Sequence, residues 1–145
     1  ATKNNSEVKE YKIDKFINHE NINNIYKLKF YKEMMKKIYL KRIKLLIKLK
    51  NLVAKGYKIA GIGAGAKSNT FLTFYGLNHT IISFLTDSSK FKQNKYTPVT
   101  RIIIKDDAHL ANFKKISCII LSWNISSLVI KKIKKLNNKI KIIYT

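Results

Sequence analysis

Gly61-Ile-Gly-Ala-Gly-Ala-Lys-Ser-Asn-Thr70 holds three of the chain's five glycines, followed at once by a lysine and two hydroxyls. Small residues let backbone amides approach a ligand closely, and a lysine beside them adds a positive point charge, so this run has the chemistry of a phosphate cradle. Two patterns compete for it. The P-loop spacing is met by Gly61, Lys67 and Ser68, but Ala66 stands where that pattern needs glycine, and no strand end of the Walker-B type follows to hold magnesium. The dinucleotide pattern is met by Gly61, Gly63 and Ala66, between a strand and a helix as its mechanism requires. Asp87 closes the next apolar run about twenty residues on, where a carboxylate accepts hydrogen bonds from a ribose. The bland alternative is a glycine-rich turn with nothing bound.

A second landmark is Ser122-Trp-Asn-Ile125, directly after another apolar run. Trp123 offers a flat apolar wall and Asn124 a donor and an acceptor, facing the glycine loop if both lie at the same sheet edge. The alternative there is a half-buried tryptophan with Asn124 capping the following helix. Lys67 and Asp87 are expected at an exposed crevice rim. His19, His79 and His109 have no partner set and read as surface or helix-end residues. Ser68, His79 and Asp87 form no nucleophile arrangement, and Asp106-Asp107 with His109 reads as a helix start.

The elements that must position these groups are marked by periodicity. Residues 1–19 are polar and lysine-rich, with few anchors, and read as an arm. Over residues 20–55, Ile22, Tyr26, Phe30, Met34, Ile38, Leu45, Leu46, Leu49 and Val53 recur at helical spacing, giving one long amphipathic helix or two joined ones, stopped by Gly56. Beyond it, short apolar runs alternate with helical stretches. Strands are expected at 57–61, 81–86, 101–104, 116–121 and 140–144, with helices at 67–75 and 126–136. Continuously apolar strands alternating with helices imply a parallel sheet covered on both faces. The fold class is therefore α/β: a small Rossmann-like domain over residues 56–145, preceded by a long amphipathic helix.

With 145 residues and 46% apolar side chains, the chain has room for one ordinary core. The lone cysteine, Cys118, lies in an apolar run and reads as a buried reduced thiol, so a cytoplasmic setting is expected. No apolar run approaches the ~20 residues of a membrane span. The net charge of +22 would point to nucleic acid or another polyanion. Yet Arg42 and Arg101 are the only arginines, the lysines are spread from end to end, and phosphate sites favour the arginine fork. Three readings follow: a nucleotide-binding domain, a lysine-driven nucleic-acid or polyanion module, and a catalytically silent scaffold whose long helix docks a partner.

Residues 56–145 resemble the C-terminal domain of the S-adenosylmethionine-dependent C-methyltransferases that act on nucleotide-linked deoxysugars. That family carries Gly-Ala-Pro-Ala-Lys-Gly-Asn-Thr after its first strand, where this chain has Gly63-Ala-Gly-Ala-Lys-Ser-Asn-Thr70. Its segment Tyr-Lys-Gln-Gly-Arg-Tyr-Thr-Pro-Gly-Thr corresponds to Phe91-Lys-Gln-Asn-Lys-Tyr-Thr-Pro-Val-Thr100, and its Pro-Trp-Asn to Ser122-Trp-Asn124. The departures are Gly65 and Ser122 for prolines, Ser68, Asn94 and Val99 for glycines, and Lys95 for arginine. The resemblance implies binding of a nucleotide-linked sugar by Gly61, Gly63, Gly65, Ala66, Lys67, Ser68, Asn69, Asp87, Lys92, Tyr96, Trp123 and Asn124. It also implies an upstream zinc-binding domain and a catalytic domain that holds S-adenosylmethionine. Neither a cysteine cluster nor a donor motif is present here, so the expectation is the last third of a larger enzyme or its free-standing remnant, binding no cofactor and turning over nothing alone.

Overall fold

The computed structural model describes residues 3–144, with side chains from residue 13 onward. They form two compact units that divide between Lys41 and Arg42.

In the first unit, helix α1 (Lys3–Ile22) occupies the stretch expected to be an arm. It ends where Asn24 takes a left-handed φ of +54°, with the Ile25 amide donating to the Glu20 carbonyl at 3.1 Å. The Asn23 side chain donates to the His19 carbonyl at 2.7 Å, and the Tyr26 hydroxyl donates to the Glu20 carboxylate. Helix α2 then runs Leu28–Ala54. The apolar periodicity thus belongs to two helices, and Ile22 and Tyr26 are exposed because they flank the turn that separates them.

In the second unit, Leu45 and Leu49 of α2 are buried in the core. The helix closes through hydrogen bonds from the Gly56 amide to Val53 and from the Tyr57 amide to Leu52. Strand β1 (Lys58–Ile62), helix α3 (Ala66–Tyr75), β2 (Phe84–Thr86), β3 (Ile104–Lys105), β4 (Ile116–Ile120), helix α4 (Ser126–Leu136) and β5 (Lys141–Ile143) follow. Short 3-10 turns lie at Asp107–Asn112 and Trp123–Ile125. The strands pair in parallel in the order β3-β2-β1-β4-β5.

Alternation along the strands divides the core in two. Ile59, Leu85 and Ile119 pack with Leu49 and Leu72 on one face, whereas Ala60, Phe84, Cys118 and Ile120 pack with Leu110 and Ile133 on the other. The central strands β1, β2 and β4 are buried on both sides, apart from Lys58, which is why their apolar runs are continuous. The strand order reverses between β1 and β4, so a crevice opens beyond their carboxyl ends.

Two strands differ from expectation. Residues 81–83 are not strand, because Asn78 organises a turn there: its carbonyl accepts the Ile81 and Ile82 amides, and its side chain accepts from Thr80 at 2.6 Å. The third strand begins later than position 101 because Thr97-Pro-Val-Thr100 folds a hairpin. Thr97 Oγ1 accepts the Ile102 amide at 2.8 Å, and Tyr96 pairs antiparallel with Ile103.

Val99, at the tip of that hairpin, has φ +62° and is 82% exposed. A β-branched side chain in the left-handed region is strained. Val99→Gly is expected to raise stability by about 0.5–1 kcal/mol after glycine's entropic penalty, seen as a rise of a few degrees in thermal melting. Cys118 is fully buried in β4, and burial pushes its thiol up to about 12. A thiol reagent near neutral pH should therefore react only at the rate of unfolding; rapid labelling of the folded chain would contradict the packing described.

Candidate functional site

The loop from β1 to α3 is shaped by two contacts at Gly63. Its φ is +100°, which favours glycine, and a Cβ there would lie 2.0 Å from Ser122 Oγ, so any side chain would have to displace that hydroxyl. The Gly63 amide donates to the Thr86 carbonyl at 2.7 Å. Gly61, two residues back in the strand, leaves space that Leu85 and Leu121 fill: a Cβ would meet their methyl groups at 2.5 and 2.8 Å. Gly65 is different, with φ −92° and nothing within 4 Å of a Cβ. Its amide donates to Ser68 Oγ at 3.3 Å. These are the two loop positions where the resembling family has proline and glycine. The amide gained at 65 is held by the hydroxyl gained at 68, so the two departures compensate one another.

Asp87, just beyond β2, closes the loop. Its Oδ2 accepts the Ala64 amide at 2.9 Å and the Lys92 ammonium at 3.0 Å, while Oδ1 accepts the Ser89 amide at 2.9 Å. Burial by itself pushes this carboxyl up, but the Ser89 and Ala64 amides and the Lys92 ammonium outweigh it and hold it below the usual carboxylate range. The Asp87 side chain is 13% exposed, so it is a clamp inside the loop rather than a free group on the rim. Gln93 extends the clamp, its Nε2 donating to the Asp87 carbonyl and to Asp106 Oδ2, each at 3.0 Å.

Beyond the clamp, α3 presents its first turn to the crevice. Its opening amides, those of Ala66 and Lys67, have no intrahelical acceptor, and the positive end of the helix dipole lies there. Lys67 is exposed, with its Nζ 6.0 Å from the centre of the Trp123 ring. Together with Gly65, Ser68, Leu121 and Asn124, these two line a cleft of about 380 Å³. Trp123 is 45% exposed, and Asn124 caps nothing: the residue before α4 is Ile125, without a side-chain cap. Asn69 lies on the same helix, its Oδ1 buried without a partner.

A smaller cleft of about 230 Å³ opens on the α4 side of the Gly63–Ser122 contact. Thr86, Asp87, Ser88, Asp107, Ser122 and Lys132 line it over a floor of aliphatic side chains. Lys132 pairs with Asp107 at 2.6 Å. Of these six, only Asp87 is among the candidate ligand residues. Thr86 carried a signal, being a polar residue at the end of a buried strand beside Asp87, whereas Lys132 is indistinguishable in sequence from its lysine neighbours. Tyr96 lines neither cleft; it is 66% exposed on the hairpin opposite Ile103. His19 and His79 are exposed, and His109 packs edge-on against Phe84 and Phe113. Among the described residues no three His, Cys, Asp or Glu cluster as metal ligands do, and no helix is long and apolar enough to cross a membrane.

Asp87→Ala should free the Ala64 amide and lower stability by about 1–3 kcal/mol. Because the folded-state carboxyl is held low, its contribution is complete above the unfolded value of about 3.9 and disappears as pH falls through the lower folded value. Denaturant melts at pH 7 and pH 2 test this: the gap between wild type and variant should be narrower at the second pH than at the first.

The comparison with known proteins agrees with this geometry. The family model for the C-methyltransferase C-terminal domain matches residues 1–144, so the matched region includes α1 and α2 as well as the sheet. C-methyltransferase NovU of Streptomyces niveus is 33% identical over 82 residues, which is 57% of this chain and 20% of that protein. The match thus spans about a fifth of its curated relative's length. A family match over nearly every residue, on a chain whose glycine loop and Trp-Asn corner meet at one sheet edge, leads to a plain conclusion: the chain belongs to the family of C-methyltransferase C-terminal domains.

Proposed function

We propose that this chain is the substrate-holding C-terminal domain of an S-adenosylmethionine-dependent C-methyltransferase acting on a nucleotide-linked sugar in the cytoplasm. The observation that carries the reading is the α3 amino terminus with Lys67, facing Trp123 across the larger cleft. Amides, dipole and ammonium together suit a diphosphate, and the indole face suits a ring attached to it. Asp87 contributes by fixing the loop through the Ala64 amide, with one acceptor position on Oδ1 left for a ribose hydroxyl.

The crevice does not suit the methyl donor. S-adenosylmethionine carries a sulfonium and an ammonium, and Asp87, the carboxylate at the loop, is already engaged by two amides and Lys92. We therefore assign the donor and the proton-abstracting base to another domain of the enzyme. This chain's part is to bind and orient the sugar nucleotide.

Titration with uridine or thymidine diphosphate should change Trp123 emission and give a saturable affinity that survives high salt. Lys67→Ala should weaken it about tenfold with little change in melting temperature, since the side chain is exposed. Affinity that vanishes steeply with salt, and is matched by single-stranded nucleic acid, would instead support the lysine-driven polyanion reading. Methyl transfer by the purified chain alone would overturn the assignment of the donor to another domain.

A further inference from the structure

Charge is distributed unevenly over the second unit. Its only acidic side chains, Asp87, Asp106 and Asp107, lie beyond the carboxyl ends of β2 and β3, and two of them are paired with Lys92 and Lys132. At the opposite end of the sheet the charged residues are lysines. Lys58 opens β1, Lys141 opens β5, Lys115 directly precedes β4 and Lys55 follows α2. The Tyr57 phenol registers their field: the Lys141 ammonium, 4.4 Å from its ring centre, together with Lys115 and Lys55, outweighs burial and holds it below the ordinary tyrosine value.

At this end a cleft of about 490 Å³ opens between the segment before β4 and the carboxyl end of α4. Lys114 lines it from the first side and Lys134, Lys135 and Lys139 from the second, and none of its lining residues is acidic. One side chain fixes the two sides to each other. Asn137 Nδ2 donates to the Leu110 and Phe113 carbonyls at 3.0 and 2.9 Å, and its Oδ1 accepts the Lys139 amide at 3.0 Å. Lys134 answers the negative end of the α4 dipole, its Nζ donating to the Asn138 and Ile140 carbonyls. Lys114, Lys135 and Lys139 are exposed. Like charges gathered without a counter-charge repel one another, so an anion in the cleft relieves them.

The residue types narrow that anion. Lysine is depleted at protein interfaces, and contact with a membrane surface needs an apolar face, whereas Leu136 is the one large aliphatic residue in the lining. Stacking of a nucleobase needs a free aromatic ring, but Phe113 is half-buried and stacked on Phe84 at 5.3 Å. Ammonium groups act as point charges and suit closely spaced phosphates, and the cleft's volume falls within the roughly 300–1,000 Å³ of small-ligand sites.

We propose that this cleft, at the end of the sheet remote from the glycine loop, binds a compact polyphosphate through Lys114, Lys135 and Lys139. Free inorganic polyphosphate and the triphosphate tail of a nucleotide present the same chemistry.

The test is calorimetry with inorganic tripolyphosphate near physiological salt, on the chain carrying Lys67→Ala so that the glycine loop is silenced. Binding should be saturable. Adding Lys114→Ala and Lys139→Ala should lower the affinity about tenfold, with the melting temperature unchanged or raised because like charges are removed. Adding Lys44→Ala and Lys48→Ala instead removes the same charge from exposed positions on α2 and should change the affinity less than about twofold. Equal weakening by the two pairs would reduce the effect to net charge and overturn the site, as would the lack of saturable binding before either pair is added. Adenosine triphosphate that binds as tightly as tripolyphosphate, with the same dependence on Lys114 and Lys139, would support the site with a nucleotide tail as its ligand; much weaker binding would support it with free polyphosphate.

Discussion

The hydrogen bond from the Ala64 amide to Asp87 holds the working end of this domain together. It joins the loop after β1 to the end of β2, and the same carboxylate gathers Lys92 and the Ser89 amide. Through Gln93 it reaches Asp106, which caps the 3-10 turn by accepting the Ala108 amide at 2.7 Å. Gly63 lies within this frame, pressed against Ser122, and so the two clefts stand on opposite sides of one narrow wall. Were the loop to relax, α3 would lose the anchor of its amino terminus and Lys67 its fixed distance from Trp123.

Much of this could be read from the residues alone, for physical reasons that differ by element. Helix α4 was expected over 126–136 and occupies those residues, because Val129, Ile130, Ile133 and Leu136 repeat at helical spacing between lysines. The run from 116 to 121 contains β4, Ile116–Ile120, since a central parallel strand is apolar throughout. Residues 81–83 could not be told from strand, because a buried turn and a buried strand present the same apolar composition; Ile82 is fully buried although its amide closes the Asn78 turn. Helix α1 was hidden because it has no apolar stripe to betray its period. In the site, the glycine loop and Trp123 were marked by residue type, whereas the Lys132–Asp107 pair brings together groups 25 positions apart.

The departures from the resembling family also have a backbone account. Asn94 and Val99 stand where that family has glycine, and both adopt positive φ, +61° and +62°. Asparagine tolerates that region through its short polar side chain; valine does so only under strain, at a tip where its side chain meets solvent. The loop thus keeps a glycine-like path at two positions after losing the glycines. At 65 and 68 the exchange goes the other way, with a new hydrogen bond in place of a rigid ring.

The Thr-Pro hairpin also protects the sheet from its neighbours. β3 is an outer strand of only two residues, and such an edge is a template on which another chain can pair. Here the Ile104 amide donates to the Lys95 carbonyl and its carbonyl accepts the Asn94 amide, both at 2.8 Å, so the hairpin occupies the outward-facing groups. Growth of the sheet by strand addition is blocked on that side by the chain itself. The opposite edge, β5, is three residues long and begins with Lys141, and a short strand carrying a charge is a poor surface for an incoming one.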